Sequence, residues 1–140
     1  MISVQKSTTD EENTLVLYLI VNDSLKMSSG KIAAQCAHGA QNILMKYYQV
    51  VSANLKLIDT VQHLSDMRSW LTSNMRIVVL KSSDVKTWAK IKAEFVETKL
   101  GVIVVDAGFT EIEPGSETVI ALYPMKKSGV SKIIKRLRVL

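Results

Sequence analysis

Between positions 26 and 39 the chain reads Lys-Met-Ser-Ser-Gly-Lys-Ile-Ala-Ala-Gln-Cys-Ala-His-Gly, and its reactive side chains recur at helical spacing. At about 100° per residue, Lys31, Gln35, His38 and Asn42 fall within roughly 60° of one another, while Ile32, Cys36, Ala40, Ile43 and Tyr47 take the opposite face. One stripe is oily, and the other carries a cation, an amide and an imidazole. Ser29 and Gly30 supply capping chemistry for a helix start, and the alanines after them favour its continuation. Ala34 and Gly39 flank the polar stripe, where their small size would let a ligand approach the helix backbone. Lys26 and Lys31 bracket a helix N-terminus whose free N–H groups favour an anion such as phosphate. Far along the chain, Asp106 follows four apolar residues and precedes Ala107-Gly108, a small turn able to hold a carboxylate at a cleft mouth with the hydroxyls of Thr110 and Thr118 nearby. The plainer reading of Asp106 is a turn cap.

Other chemistries find no support. Ser29-Gly30-Lys31 invites a P-loop reading, but that motif needs Gly at 25 and Ser or Thr at 32, where the chain has Leu25 and Ile32. Lys26-Met27-Ser28-Ser29 echoes the KMSKS signature of some aminoacyl-tRNA synthetases, yet the chain is too short for such a domain and lacks the companion HIGH motif. There is no nucleophile elbow, no dinucleotide fingerprint, and no Cys or His pair with metal-ligand spacing. Cys36, the lone cysteine, lies on the oily face and reads as a buried structural thiol in a reducing compartment.

These residues need a scaffold, and 140 residues suffice for one domain with a genuine core. Residues 1–13 are polar and read as a flexible tail, leaving 14–140 as the single domain. No apolar run spans a membrane and the polar start argues against a signal peptide, so the expected address is the cytoplasm. A net charge of +5 makes a polyanionic partner plausible.

Residues 14–21 form a continuous apolar run rich in β-formers, the pattern of a strand covered on both faces. The helix with the polar stripe then runs from about Gly30 to Val50 or Val51. A second helix is predicted over 55–72, its His63 solvated. A strand follows at 75–80, then a helix opened by Ser82-Ser83-Asp84, with Val85, Trp88, Ile91, Phe95 and Val96 inward and Gly101 as its C-terminal cap. Strands at 102–105 and 118–122 precede a last helix, capped by Ser128, that turns Val130, Ile133, Ile134 and Leu137 inward. Apolar strands alternating with amphipathic helices predict an α/β fold, a three-layer sandwich with a small mixed four-stranded sheet and helices on both faces. The 106–114 loop is too short for a helical crossover, so the sheet need not be all parallel.

Taken together, Lys26-Met27, the run from Gly30 to His38, Asp106-Ala107-Gly108-x-Thr110 and Pro114-Gly115-x-x-Thr118 resemble the archaeal/eukaryotic-type, or type II, peptidyl-tRNA hydrolase family, in matching order and spacing over about 15–140. The resemblance implies hydrolysis of the ester joining a peptide to the 3′ ribose of tRNA, without metal or organic cofactor, on a mixed four-stranded sheet and often in a homodimer. Carried over position by position, it implies active-site roles for Lys26, Lys31, Gln35, His38, Asp106, Thr110 and Thr118. Under it Asp106 orients a water, Thr110 and Thr118 support it, and Lys31 with Gln35 meets the oxyanion or ribose. Lys26 holds a phosphate of the tRNA acceptor end, and His38 is an acid, a base or a stacking partner. The chain departs from the family at Ser28-Ser29, where Gly-Lys is common, at Phe109, where a basic residue is usual, and at Glu111 and Ser116, which replace Gln and Thr. These departures remove positive charge near the expected RNA edge and leave the catalytic set untouched. They also give the rival reading its best support: a non-catalytic module that binds RNA or protein on the same fold.

Overall fold

The computed structural model describes residues 8–108 and 111–140. Thr8–Asn13, inside the stretch expected as a tail, form a short helix (α1). Glu11 of α1 pairs with Arg76 and with Lys127, each at 3.0 Å. The central strand β1 (Leu15–Asn22) follows, then α2 (Ser29–Ala53), α3 (Leu57–Thr60), α4 (Gln62–Leu71), β2 (Ile77–Ser82), α5 (Val85–Ile91), β3 (Gly101–Val105), β4 (Glu117–Leu122), β5 (Met125–Lys126), α6 (Lys132–Lys135) and β6 (Arg138–Val139).

The sheet is mixed and open, with strand order β3-β4-β1-β2-β6, and β5 pairs with β1 beside this path. β1 runs parallel to β2 and antiparallel to β4, and β4 is antiparallel to β3. The sheet therefore has six strands, not the expected four. β5 and β6 are two residues each, too short to carry an alternation that a sequence could display.

The apolar run of β1 is buried because both its faces are covered. Leu17, Leu19 and Val21 pack with Ile43, Tyr47 and Val51 of α2 and Leu64, Met67 and Trp70 of α4. Val16, Tyr18 and Ile20 pack on the other side with Trp88, Ile91, Phe95, Val130 and Ile134. Alternation along one strand thus feeds two cores.

Several local expectations need correction. The helix expected over 55–72 is two helices, interrupted at Val61, whose backbone is extended (φ −112°, ψ 116°). His63 is not solvated: it is half-buried, its ring 4.7 Å from that of Tyr123, and burial lowers its pKa. Gly101 opens β3 instead of capping the preceding helix, and the left-handed residue there is Lys99 (φ 64°). A Cβ at Gly101 would stand 2.8 Å from the Ala121 carbonyl oxygen, so the glycine serves close strand approach. Val85 is largely exposed, and the last helix starts after Ser131 instead of Ser128.

Candidate active site

The site forms where the start of α2 meets the end of β3. Ser28 is the N-cap of α2, its hydroxyl accepting from the Lys31 amide at 3.3 Å. At the end of β3 the chain loops out and returns. The Asp106 amide donates to the Ser116 carbonyl at 2.9 Å, and the Gly115 amide donates to the Asp106 carbonyl at 2.8 Å. Gly108 sits at φ 80°, and a Cβ there would lie 2.5 Å from Pro114 Cγ, so only glycine fits. The Gly108 amide donates to Asp106 Oδ2 at 2.8 Å, a turn closed by the aspartate itself.

That turn aims the carboxylate at α2. Lys31 Nζ donates to Asp106 Oδ1 at 2.7 Å, with both side chains about nine-tenths buried. Gln35 Nε2 lies 3.4 Å from the same oxygen. Behind them the fully buried Thr118 hydroxyl donates to Gln35 Oε1 at 2.6 Å. Thr118 occupies the amide's acceptor, which turns its donor towards Asp106 and fixes the orientation of Gln35. Lys31, Gln35, Asp106 and Thr118 thus form one connected chain of hydrogen bonds drawn from α2, the loop that leaves β3, and β4. The hydrogen bond from Lys31 holds the Asp106 carboxyl below its ordinary pKa against the opposing effect of burial, with help from the Gly108 amide and the charges of Lys31 and His38.

The other expected residues are placed differently. His38, three residues after Gln35 on α2, is exposed at the rim and reaches Asp106 only through its charge. Lys26 is left-handed (φ 52°), its side chain 78% exposed and 3.7 Å from Asp23. Thr110 and Phe109 lie outside the described residues.

Two features of α2 differ from the sequence reading. Its buried row is Gln35, Gly39, Ile43, Tyr47 and Val51, so the amide expected on an open face belongs to the buried one. Gly39 does not make room for a ligand: a Cβ there would stand 3.0 Å from Val119 Cγ1, so its small size lets the helix settle on the sheet. The N-terminus of α2 also has an occupant that the sequence did not reveal. Glu111 accepts from the Ser28 amide at 2.8 Å and from the Ser28 hydroxyl at 2.6 Å, contacts that lower its carboxyl pKa. No local pattern links residues 83 positions apart. The Cys36 thiol is half-buried and its pKa is raised by burial, the opposite of an activated nucleophile.

Among the described residues, no three His, Cys, Asp or Glu side chains group as metal ligands. No helix among them is long and apolar enough to cross a membrane.

Comparison with known proteins identifies the family. The family model described as peptidyl-tRNA hydrolase PTH2 matches residues 15–140. A peptidyl-tRNA hydrolase of Thermococcus sibiricus is 32% identical over 123 residues, covering 86% of this chain and 92% of that protein. The mitochondrial peptidyl-tRNA hydrolase 2 of Bos taurus is 30% identical over 135 residues, covering 96% of this chain and 69% of its own length. A Methanococcus maripaludis peptidyl-tRNA hydrolase is 30% identical over 123 residues, covering 87% of this chain and 96% of that protein. From its β1 strand to its last residue, this chain belongs to the peptidyl-tRNA hydrolase PTH2 family.

Proposed function

We propose that residues 14–140 act as a single domain that hydrolyses the ester between peptide and tRNA, releasing both, with an oriented water and no cofactor. The observation that carries this reading is the buried chain Thr118–Gln35–Asp106–Lys31. An ester is already activated, so its hydrolysis needs a positioned water and donors for the oxyanion that develops when water attacks the carbonyl carbon.

Asp106 supplies the first. Its Oδ1 faces Lys31 and Gln35, and its Oδ2 accepts from Gly108, which leaves acceptor capacity on Oδ2 for one water. A carboxylate whose pKa is lowered is a weak base but stays ionised, and this suits it to orienting the water. Lys31 and Gln35, whose donors already converge beside Asp106, are assigned to the oxyanion or the ribose as the 3′ oxygen departs. Thr118 acts by holding Gln35, and Thr110 is assigned a second supporting hydroxyl from the family resemblance. Lys26, exposed and beside Asp23, is assigned a phosphate of the acceptor end, and exposed His38 serves as acid, base or stacking partner. A homodimer follows from the family resemblance and a cytoplasmic address from the composition.

The test is peptide release from purified peptidyl-tRNA. The wild-type chain is expected to free peptide at catalytic concentration in the presence of a metal chelator. Tight tRNA binding without release would favour the non-catalytic module.

A further inference from the structure

Away from the Asp106 site, Lys81, Lys90, Lys132, Arg136 and Arg138 surround one cavity of about 480 Å3 between β2, α5, α6 and β6. Lys81 and Arg138 are register partners across the β2–β6 pair. Among the described residues none of the five has a carboxylate within ion-pair distance. The acid lining the cavity, Asp84, caps α5 by accepting from the Thr87 amide and hydroxyl, each at 2.8 Å, and the Lys90 charge acts on it, so five cations face one carboxylate. Five cations against one carboxylate leave the concavity with a net excess of positive charge, so an anion that enters gains.

The sheet relates this cavity to the site. Asn22 pairs with Ser82, Val21 with Val119, and Val105 with Glu117, so β1, β2 and β3 end at the same edge. Asp106 leaves that edge on the α2 side, and the basic cavity opens on the side of α5 and α6. Along the sheet three interstrand steps separate β3 from β2, about 14 Å, and because the two groups stand on opposite faces the gap between them is larger, on the order of 20 Å. That is about six steps at roughly 3.4 Å each along a nucleic-acid strand, beyond a trinucleotide and within reach of a longer strand whose end lies at Asp106.

We propose that this cavity is a second phosphate site, which grips the sugar–phosphate backbone of the tRNA whose 3′ end lies at Asp106; the proposal rests on the hydrolase reading above. It gives the chain a backbone contact on the side of the sheet opposite α2, where Glu111 already occupies the helix start.

The test compares wild type with the triple variant Lys90→Gln, Lys132→Gln, Arg136→Gln. Three readouts are used: the Kd for deacylated tRNA across a salt series, competition by inorganic triphosphate, and hydrolysis of a blocked aminoacyl ester on a CCA trinucleotide. The variant is expected to bind tRNA about tenfold or more weakly, and its slope of log K against log salt should fall by two to three units, at about 0.9 per lost contact. Turnover of the trinucleotide ester, too short to reach the cavity, should match wild type. Wild-type tRNA affinity and slope in the variant would overturn the proposal. So would competitive triphosphate binding that the variant loses while its tRNA affinity stands, which would assign the cavity to a free polyphosphate. Should the triple variant not fold, Lys90→Gln and Arg136→Gln lie on separate segments and are each expected to lower the slope by about 0.9. A wild type that binds tRNA with this slope pattern but releases no peptide would retire the hydrolase reading and keep the cavity.

Discussion

The Asp106 carboxylate is set by its neighbours. Lys31 and Gly108 stabilise the charged form, so its protonation, and with it the acid limb of activity, is expected below the ordinary carboxylate range. Removing the cation reverses the sign: in Lys31→Ala the Asp106 pKa rises towards its usual value, and the acid limb of the kcat/KM profile should move to higher pH. An acid limb at the wild-type position in that variant would show that Lys31 does not hold Asp106 during turnover. At this scale the sequence was informative. Lys31 and Gln35 announced themselves by helical spacing, and Asp106 by its place after an apolar strand. Glu111 is illegible because its partner is 83 residues away, and helical spacing assigns Gln35 to an open face because it does not encode where the sheet lies.

The elements matter through how closely they seat. α2 lies against β1 and β4 at Gly39, where an added Cβ would crowd Val119, Ala121 and Leu19. Gly39→Val is therefore expected to destabilise the fold by about 1–3 kcal/mol, read as a lower urea midpoint at unchanged m-value. The same shift would move Gln35, one turn earlier, away from Thr118 and Asp106. A wild-type midpoint would mean that α2 is not seated there. The long periodic elements were legible: β1, α2 and the Trp88-Ile91-Phe95 face of α5 and its continuation all followed from composition and spacing. The two-residue strands, the break at Val61 and the left-handed Lys99 were not, because each is imposed by tertiary packing and not by local preference.

Across the whole molecule, charge is distributed unevenly between structural pairs and open clusters. Glu11 shows the first use: hydrogen bonds from Arg76 and Lys127 lower its pKa from 4.5 to about 2, which ties α1 to the rest of the fold. A depressed folded pKa contributes stability above the unfolded value that is lost as pH falls through the folded one. The thermal midpoint of wild type should therefore exceed that of Glu11→Gln at pH 7, and the difference should vanish as pH falls from 4.5 towards 2. An equal difference at both ends would place the effect outside this ion pair. The basic cavity beside β6 shows the second use, and a net charge of +5 could not say where on the surface its excess would gather.

The most direct measurement is the steady-state rate of peptide release from peptidyl-tRNA by Asp106→Asn beside wild type, with thermal unfolding as a check on the fold. Asparagine keeps the shape but has one acceptor oxygen where Asp106 uses two, for Lys31 and for Gly108, and carries no charge to orient the attacking water, so kcat should fall by roughly 10²–10⁴-fold in a protein that still unfolds cooperatively. An unchanged kcat in a folded Asp106→Asn protein would contradict the account.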